Sequence, residues 1–138
     1  MPADFIIDAQ LGMVLSRASG ALTYAEILAH IDGLLRHPDF RPEFNQIFDF
    51  RRVERPTLSS HEITELARRT IFGPKSRRAF IAADDWQFGV GRMFAAHREI
   101  AGEPGIVVFR DMKEALNWLS LVEEPGFFTE LPPPTDPA

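Results

Sequence analysis

Ser59, Ser60 and His61 place two hydroxyls beside an imidazole, the residue types of nucleophilic catalysis. Adjacent residues at a helix start do not face one another as a nucleophile and its base must, and no acid is placed to orient His61. Ser59 followed by Glu62 is instead the pattern of a helix N-cap. A hydroxyl in the first helical turn of a basic segment is also a position for phosphorylation, so Ser59 and Ser60 are candidates for modification. His30, His37, His61 and His97 lie on three separate predicted helices or at their ends. None has the H-E-x-x-H spacing, and no metal site is expected. Gly89 and Gly91, in the string FGVGRMF, follow an Asp-capped helix start rather than forming a strand-to-helix turn. No Gly-Lys-Ser/Thr comes after them, which argues against a phosphate loop. They mark a helix face that could closely approach the sheet, another subunit or an apolar ligand. No catalytic set, cofactor site or metal site is expected, and the chain reads as non-enzymatic.

Ligands of open α/β sheets usually sit beyond the C-terminal ends of the parallel strands. Those ends carry Ser19-Gly20, then the arginines of 51–55, then Asp84-Asp85-Trp86, then Arg110-Asp111. The candidate rim for a ligand or partner is therefore Arg51, Arg52, Asp84, Trp86, Phe88 and Arg110. Against it stands the reading in which the aspartates are caps and the arginines are solvated or paired. Val90, Met93 and Phe94 form a candidate apolar contact helix. Phe72, Trp86 and Phe88 are either a contact surface or core.

These residues sit in a chain of 138 residues with 45% hydrophobic and 25% charged positions, enough for one ordinary globular domain. It has no cysteine, which removes disulfides, thiol nucleophiles and thiolate metal sites and leans towards a cytoplasmic location. The formal charge of −5 argues against nucleic acid as a partner. Between Arg51 and Arg78, however, eight basic residues stand against three acidic ones. No signal peptide is read at the N-terminus, and no apolar run approaches the roughly 18 residues of a membrane span.

The positioning elements follow from periodicity and breakers. Strand-like runs at 5–9 and 13–18 flank Gly12 and predict an antiparallel hairpin at one edge. Thr23 with Glu26 caps a helix whose stripe is Ile27, Leu28, Ile31, Leu34 and Leu35, ended by Pro38. Residues 46–53 form a strand, 55–58 a loop, and the Ser59 helix carries Ile63, Leu66, Ala67, Thr70 and Ile71 up to Gly73-Pro74. The apolar run 79–83 is an interior strand. Asp84 with Gln87 opens a helix running to about Ala101, where Gly102, Pro104 and Gly105 break it. Residues 106–109 form a last strand, and Asp111 with Glu114 caps the helix of Ala115, Trp118, Leu119 and Val122. The order β-β-α-β-α-β-α-β-α predicts a mostly parallel five-stranded sheet with an antiparallel N-terminal edge strand. Residues 1–124 are expected to be this domain. Residues 125–138 read as a Pro-rich tail in which only Phe127, Phe128 and Leu131 can form core.

The strings MVLSRASGALTYAE, HPDFRPEFNQIFDF, FGPKSRRAFIAA, FGVGRMF and VFRDMKEALNWL together resemble the SpoIIAA-like family, small bacterial domains related in fold to the STAS domains of anti-sigma-factor antagonists. The resemblance covers nearly the whole chain to about Glu123. It implies the SpoIIAA/STAS-like sheet and carries no catalytic set. STAS antagonists hold a phosphorylatable serine at the helix after the third strand. The matching place here is Thr57-Leu58-Ser59-Ser60-His61, without the usual Asp-Ser-Ser/Thr-Gly pattern. The resemblance thus implies a binding or regulatory module acting through protein–protein contact, with a partner protein or as a homodimer. The related fold also resembles lipid-binding domains of the CRAL-TRIO kind. The alternative is therefore a carrier or sensor of a small apolar or amphipathic anionic ligand such as a fatty acid. In that case arginines would hold the head group and Val90, Met93 and Phe94 would line the tail channel.

Overall fold

The computed structural model describes residues 3–54, 58–69, 71–101 and 105–129. The first two strands, β1 (Ala3–Asp8) and β2 (Met13–Gly20), pair antiparallel around a turn in which Gly12 takes φ +67°, a left-handed conformation open to glycine at little cost. After α1 (Tyr24–Arg36) comes β3 (Asn45–Val53), then α2 (Ser60–Arg68), β4 (Arg78–Ile81), α3 (Asp85–Ile100) and β5 (Ile106–Phe109). The chain closes with α4 (Met112–Trp118) and the single turn α5 (Gly126–Thr129). Strands β2 to β5 are parallel and lie in sequence order, with β1 at the edge, so the sheet is the mostly parallel five-stranded one expected.

Sequence order has a consequence for the layers. Right-handed crossovers that always step the same way place every crossover helix on one face. That face carries Val14, Phe48, Phe80 and Val108, packed against Ile27 and Leu34 of α1 and Phe94 of α3. The opposite face carries Met13, Leu15, Ile47, Ala79 and Ile81. It is covered by Met112, Ala115 and Leu116 of α4 and by Phe128 of α5. Strand alternation sorts each residue to its layer. Arg17 fastens the last turn: it pairs with Asp4 at 2.9 Å, donates to the Phe127 carbonyl at 2.6 Å and lies over the Phe127 ring.

Several local expectations need correction. Reciprocal capping boxes form at Thr23 and Ser59. At α3 the Gln87 side chain accepts from the Ala83 amide instead of the cap, and at α4 Asp111 accepts from Lys113 without Glu114. Leu35 is exposed, because the inward face of α1 is rotated towards His30 and Leu34. Thr70, the loop at 55–57, the breaker at 102–104 and the tail at 130–138 lie outside the described residues.

Two substitutions report on the helix starts and interiors. Ser59→Ala removes the hydroxyl that accepts from the Glu62 amide and should cost about 1 kcal/mol in urea unfolding. Gly89→Ala adds a methyl to open space on α3 and should gain about 0.5–1 kcal/mol in the same assay.

Candidate functional site

A cavity of about 110 Å³ lies between the sheet and the three crossover helices. Its floor is Gln46, Phe48 and Phe50 of β3 with Arg78 and Phe80 of β4. Its walls are Ile27, His30 and Leu34 of α1, Ile63 and Leu66 of α2, and Val90, Gly91 and Phe94 of α3. Helix α2 packs mainly on α3 rather than on the strands, which leaves space beneath it. Gly91 lets α3 sit close to β5, since a Cβ there would stand 3.1 Å from Val108 Cγ2. The lining is largely apolar, and the ring cluster is dense: Phe48 stacks on Phe50 at 4.2 Å, and Phe80 meets Phe50 edge-on at 5.3 Å.

Four polar side chains form a directed chain through this apolar layer. Arg78 Nε donates to Gln46 Oε1 at 3.0 Å, and Gln46 Nε2 donates to Ser16 Oγ at 3.1 Å. Ser16 Oγ then lies 3.0 Å from His30 Nε2. Its own hydrogen has no other partner, so the arrangement that satisfies both groups has Ser16 donating to a neutral His30. Strand register builds the chain. Gln46 is opposite Arg78 across the β3–β4 ladder, and Ser16 is opposite Phe48, one inward position along from Gln46.

The Arg78 guanidinium has no carboxylate partner among the described residues. Its charge is met by rings, with its carbon 4.3 Å from the centroid of Phe72 and 5.5 Å from that of Phe80. Burial, with a smaller contribution from the like charge of Arg98, pushes its pKa down to about 9, so it remains cationic at neutral pH. Gln87 is the other polar lining group, and both ends of its amide are engaged: it donates to Val53 O and accepts from Ala83 N.

The residues singled out in the sequence are only partly brought together. Val90 and Phe94 line the cavity, but Met93 does not: one residue to either side of the inward face, it is 40% exposed. Several rim groups are already paired. Arg110 pairs with Asp85 at 2.6 Å and lies over Phe88 at 4.5 Å, whereas Arg51 pairs with Asp49 at 2.9 Å on its own strand. The Asp49 hydrogen bond raises the Arg51 pKa against its partial burial. Asp84 is the N-cap of α3, accepting from Gln87, while Arg52 and Trp86 are exposed. Ser59 is the N-cap of α2, and Ser60 is its first residue. Phe72 is core rather than contact surface. Among the described residues no group of three or more His, Asp or Glu could hold a metal, and no helix is long and apolar enough to cross a membrane.

Sequence reasoning did not single out Arg78, Gln46 and Ser16, and weighed His30 only as a metal ligand. The available signal was polarity at inward positions of otherwise apolar strands: Gln46 alternates with Phe48 and Phe50, and Arg78 with Phe80.

His30 makes the chain pH-sensitive. Burial lowers its pKa from 6.5 to about 4, with Asp4 pulling weakly the other way. Between those values the unfolded chain takes up a proton that the folded chain refuses, so stability falls as pH falls. The loss is complete near pH 4 and amounts to roughly 3 kcal/mol. Urea unfolding from pH 7 to 4 should show this slope, and His30→Gln should flatten it.

No family model matches the chain, and no curated protein matches it. A solved structure does, that of an uncharacterised DUF3478-family protein with a SpoIIAA-like fold from Shewanella loihica PV-4. It is 21% identical, with a TM-score of 0.54 over 85% of this chain and 93% of that one. The sequential parallel sheet with its antiparallel edge strand is thus a SpoIIAA-like fold.

Proposed function

We propose that this chain is a non-enzymatic binding module that holds a small apolar or amphipathic molecule in the cavity beneath α2 and α3. The observation that carries this reading is the cavity itself, about 110 Å³ lined by aromatic and aliphatic side chains. Close packing normally leaves few voids larger than a water. The volume is of the order of engineered cavities that take up a single benzene ring. It falls well short of the roughly 300–1,000 Å³ typical of drug-sized ligands. The occupant is therefore one ring or a short branched chain rather than a long fatty acid.

The test is thermal denaturation with toluene, indole and benzoate as probes. A ligand of the native state raises the midpoint in proportion to the logarithm of its concentration, once above its Kd. At least one probe should do so, and Val90→Phe, which fills the space, should abolish the rise. No rise with any probe would remove the reading.

A second reading, contact with another copy of this chain, has its own observation. Trp86, Met93 and Ile100 stand seven residues apart on α3 and are 44%, 40% and 85% exposed. Exposed Gly89 and Ala96 run beside them, and Arg92 and Glu99 border the stripe on its far side. In an antiparallel two-fold pairing of α3 with its copy, each Arg92 can face the other's Glu99. Light scattering should then show a dimer that Ile100→Glu converts to monomer. A wild-type monomer at high concentration would overturn this reading.

A further inference from the structure

We propose that the cavity is built for a small monocarboxylate, an aromatic or branched short-chain acid, whose carboxylate is bound by Arg78. This rests on the ligand reading above and adds the charge of the ligand and the group that recognises it.

Three observations converge on Arg78. First, it lines the cavity as a cation with no carboxylate partner among the described residues, although every other polar group on the floor is paired. The residue is half-buried and its unbonded terminal nitrogens are not sealed off, so an anion entering the cavity can reach them. Second, the guanidinium is half committed. Nε is held by Gln46 Oε1, whereas Nη1 and Nη2 make no hydrogen bond to a described residue. A guanidinium anchored through one edge keeps its remaining N–H groups for the bidentate, in-plane geometry that suits a carboxylate. Third, its orientation is fixed from behind. Gln46 Nε2 donates to Ser16, and Ser16 is held by His30, so the amide cannot flip and its Oε1 keeps accepting from Arg78 Nε.

The apolar part of the ligand follows from the rest of the lining. Phe48, Phe50, Phe80 and Phe94 surround the space next to the guanidinium, and its volume admits one ring. The rim arginines are poor anchors by comparison, since Arg51 and Arg110 already hold Asp49 and Asp85. Lone phosphate or sulfate would leave the aromatic wall uncovered, and a neutral ring would leave the cation unpaired. An arylcarboxylate satisfies both.

The experiment is calorimetric titration of the full chain at pH 7 with benzoate, benzamide and toluene, which share a ring and differ in charge. Benzoate should bind at least tenfold more tightly than the other two. Arg78→Met should erase this preference while leaving toluene binding unchanged, and Arg78→Lys should keep part of it. In case Arg78→Met does not fold, the wild type labelled with 15N at arginine provides a second readout. Benzoate should shift one buried Nε–H resonance that toluene leaves in place. Toluene or benzamide binding as tightly as benzoate, or an unmoved arginine resonance, would overturn the carboxylate proposal while leaving the cavity reading intact. If none of the three binds, both fail together, and the Arg78 charge is met by its aromatic neighbours alone.

Discussion

Four parallel strands laid down in sequence order are the constraint on which the rest depends. Each right-handed crossover steps the same way, so α1, α2 and α3 must share one face of the sheet, and only α4 and α5 are left for the other. The two faces are packed differently as a result. The α4 face is centred on small and aliphatic groups, Ala79, Ala115, Leu15 and Ile47, with Phe128, Phe109 and Trp118 packed around them. The crossover face is spanned by phenylalanine rings, and its three helices do not descend equally. Helix α3 comes down onto β5 over Gly91, whereas α2, only nine residues long, rests on α3. The cavity is the difference in height between them.

A polar chain buried in that face is constrained by the same topology. Parallel register sets Gln46 beside Arg78, and hydrogen bonding runs one way, from the cation through amide and hydroxyl to imidazole. Each member orients the next. A protonated His30 would give Ser16 a second donor and leave the hydroxyl hydrogen without an acceptor. The depressed histidine pKa and the fixed fork of Arg78 are therefore two ends of one arrangement. Networks of this kind are stable only when every member is satisfied. The terminal nitrogens of Arg78 are where this one remains open.

Much of this architecture was legible from residue types. Thr23 and Ser59 announced their helices, Gly12 its turn, the run at 79–83 an interior strand and the run at 106–109 the last strand, because caps and breakers act within a few residues of themselves. The site was less legible. Met93 and Val90 share a helix and an apolar character. Which of them faces the sheet depends on a rotation that Gly91 and Gln87 set through contacts with Val108 and Val53. Arg78 looked like the last member of a basic segment, since nothing local shows that it is the first inward residue of a strand flanked by two others. The rule that ligands gather at C-terminal strand ends pointed to Arg51 and Arg110. Arg78, a cation without a carboxylate partner among the described residues, instead enters from the N-terminal end of β4, where it begins the strand. A cavity is marked by no residue type at all, because it arises from how far apart two elements are held.

That separation is maintained from the side of α2 away from the floor. Arg98, buried on α3, donates through Nη1 to the Ala67 carbonyl near the end of α2, and Thr64 Oγ1 lies 3.4 Å from His97 Nε2. Both links join α2 to α3 rather than to the sheet, so they fix the helix laterally without drawing it down. Ile63 and Leu66 then face the rings of β3 and β4 across a gap instead of interdigitating with them. On the floor below them the chain keeps Arg78 at an inward position of β4 where an aliphatic side chain would pack without any desolvation penalty. That choice is the one the proposed carboxylate site requires, with Phe72 and Phe80 meeting the charge when the site is empty.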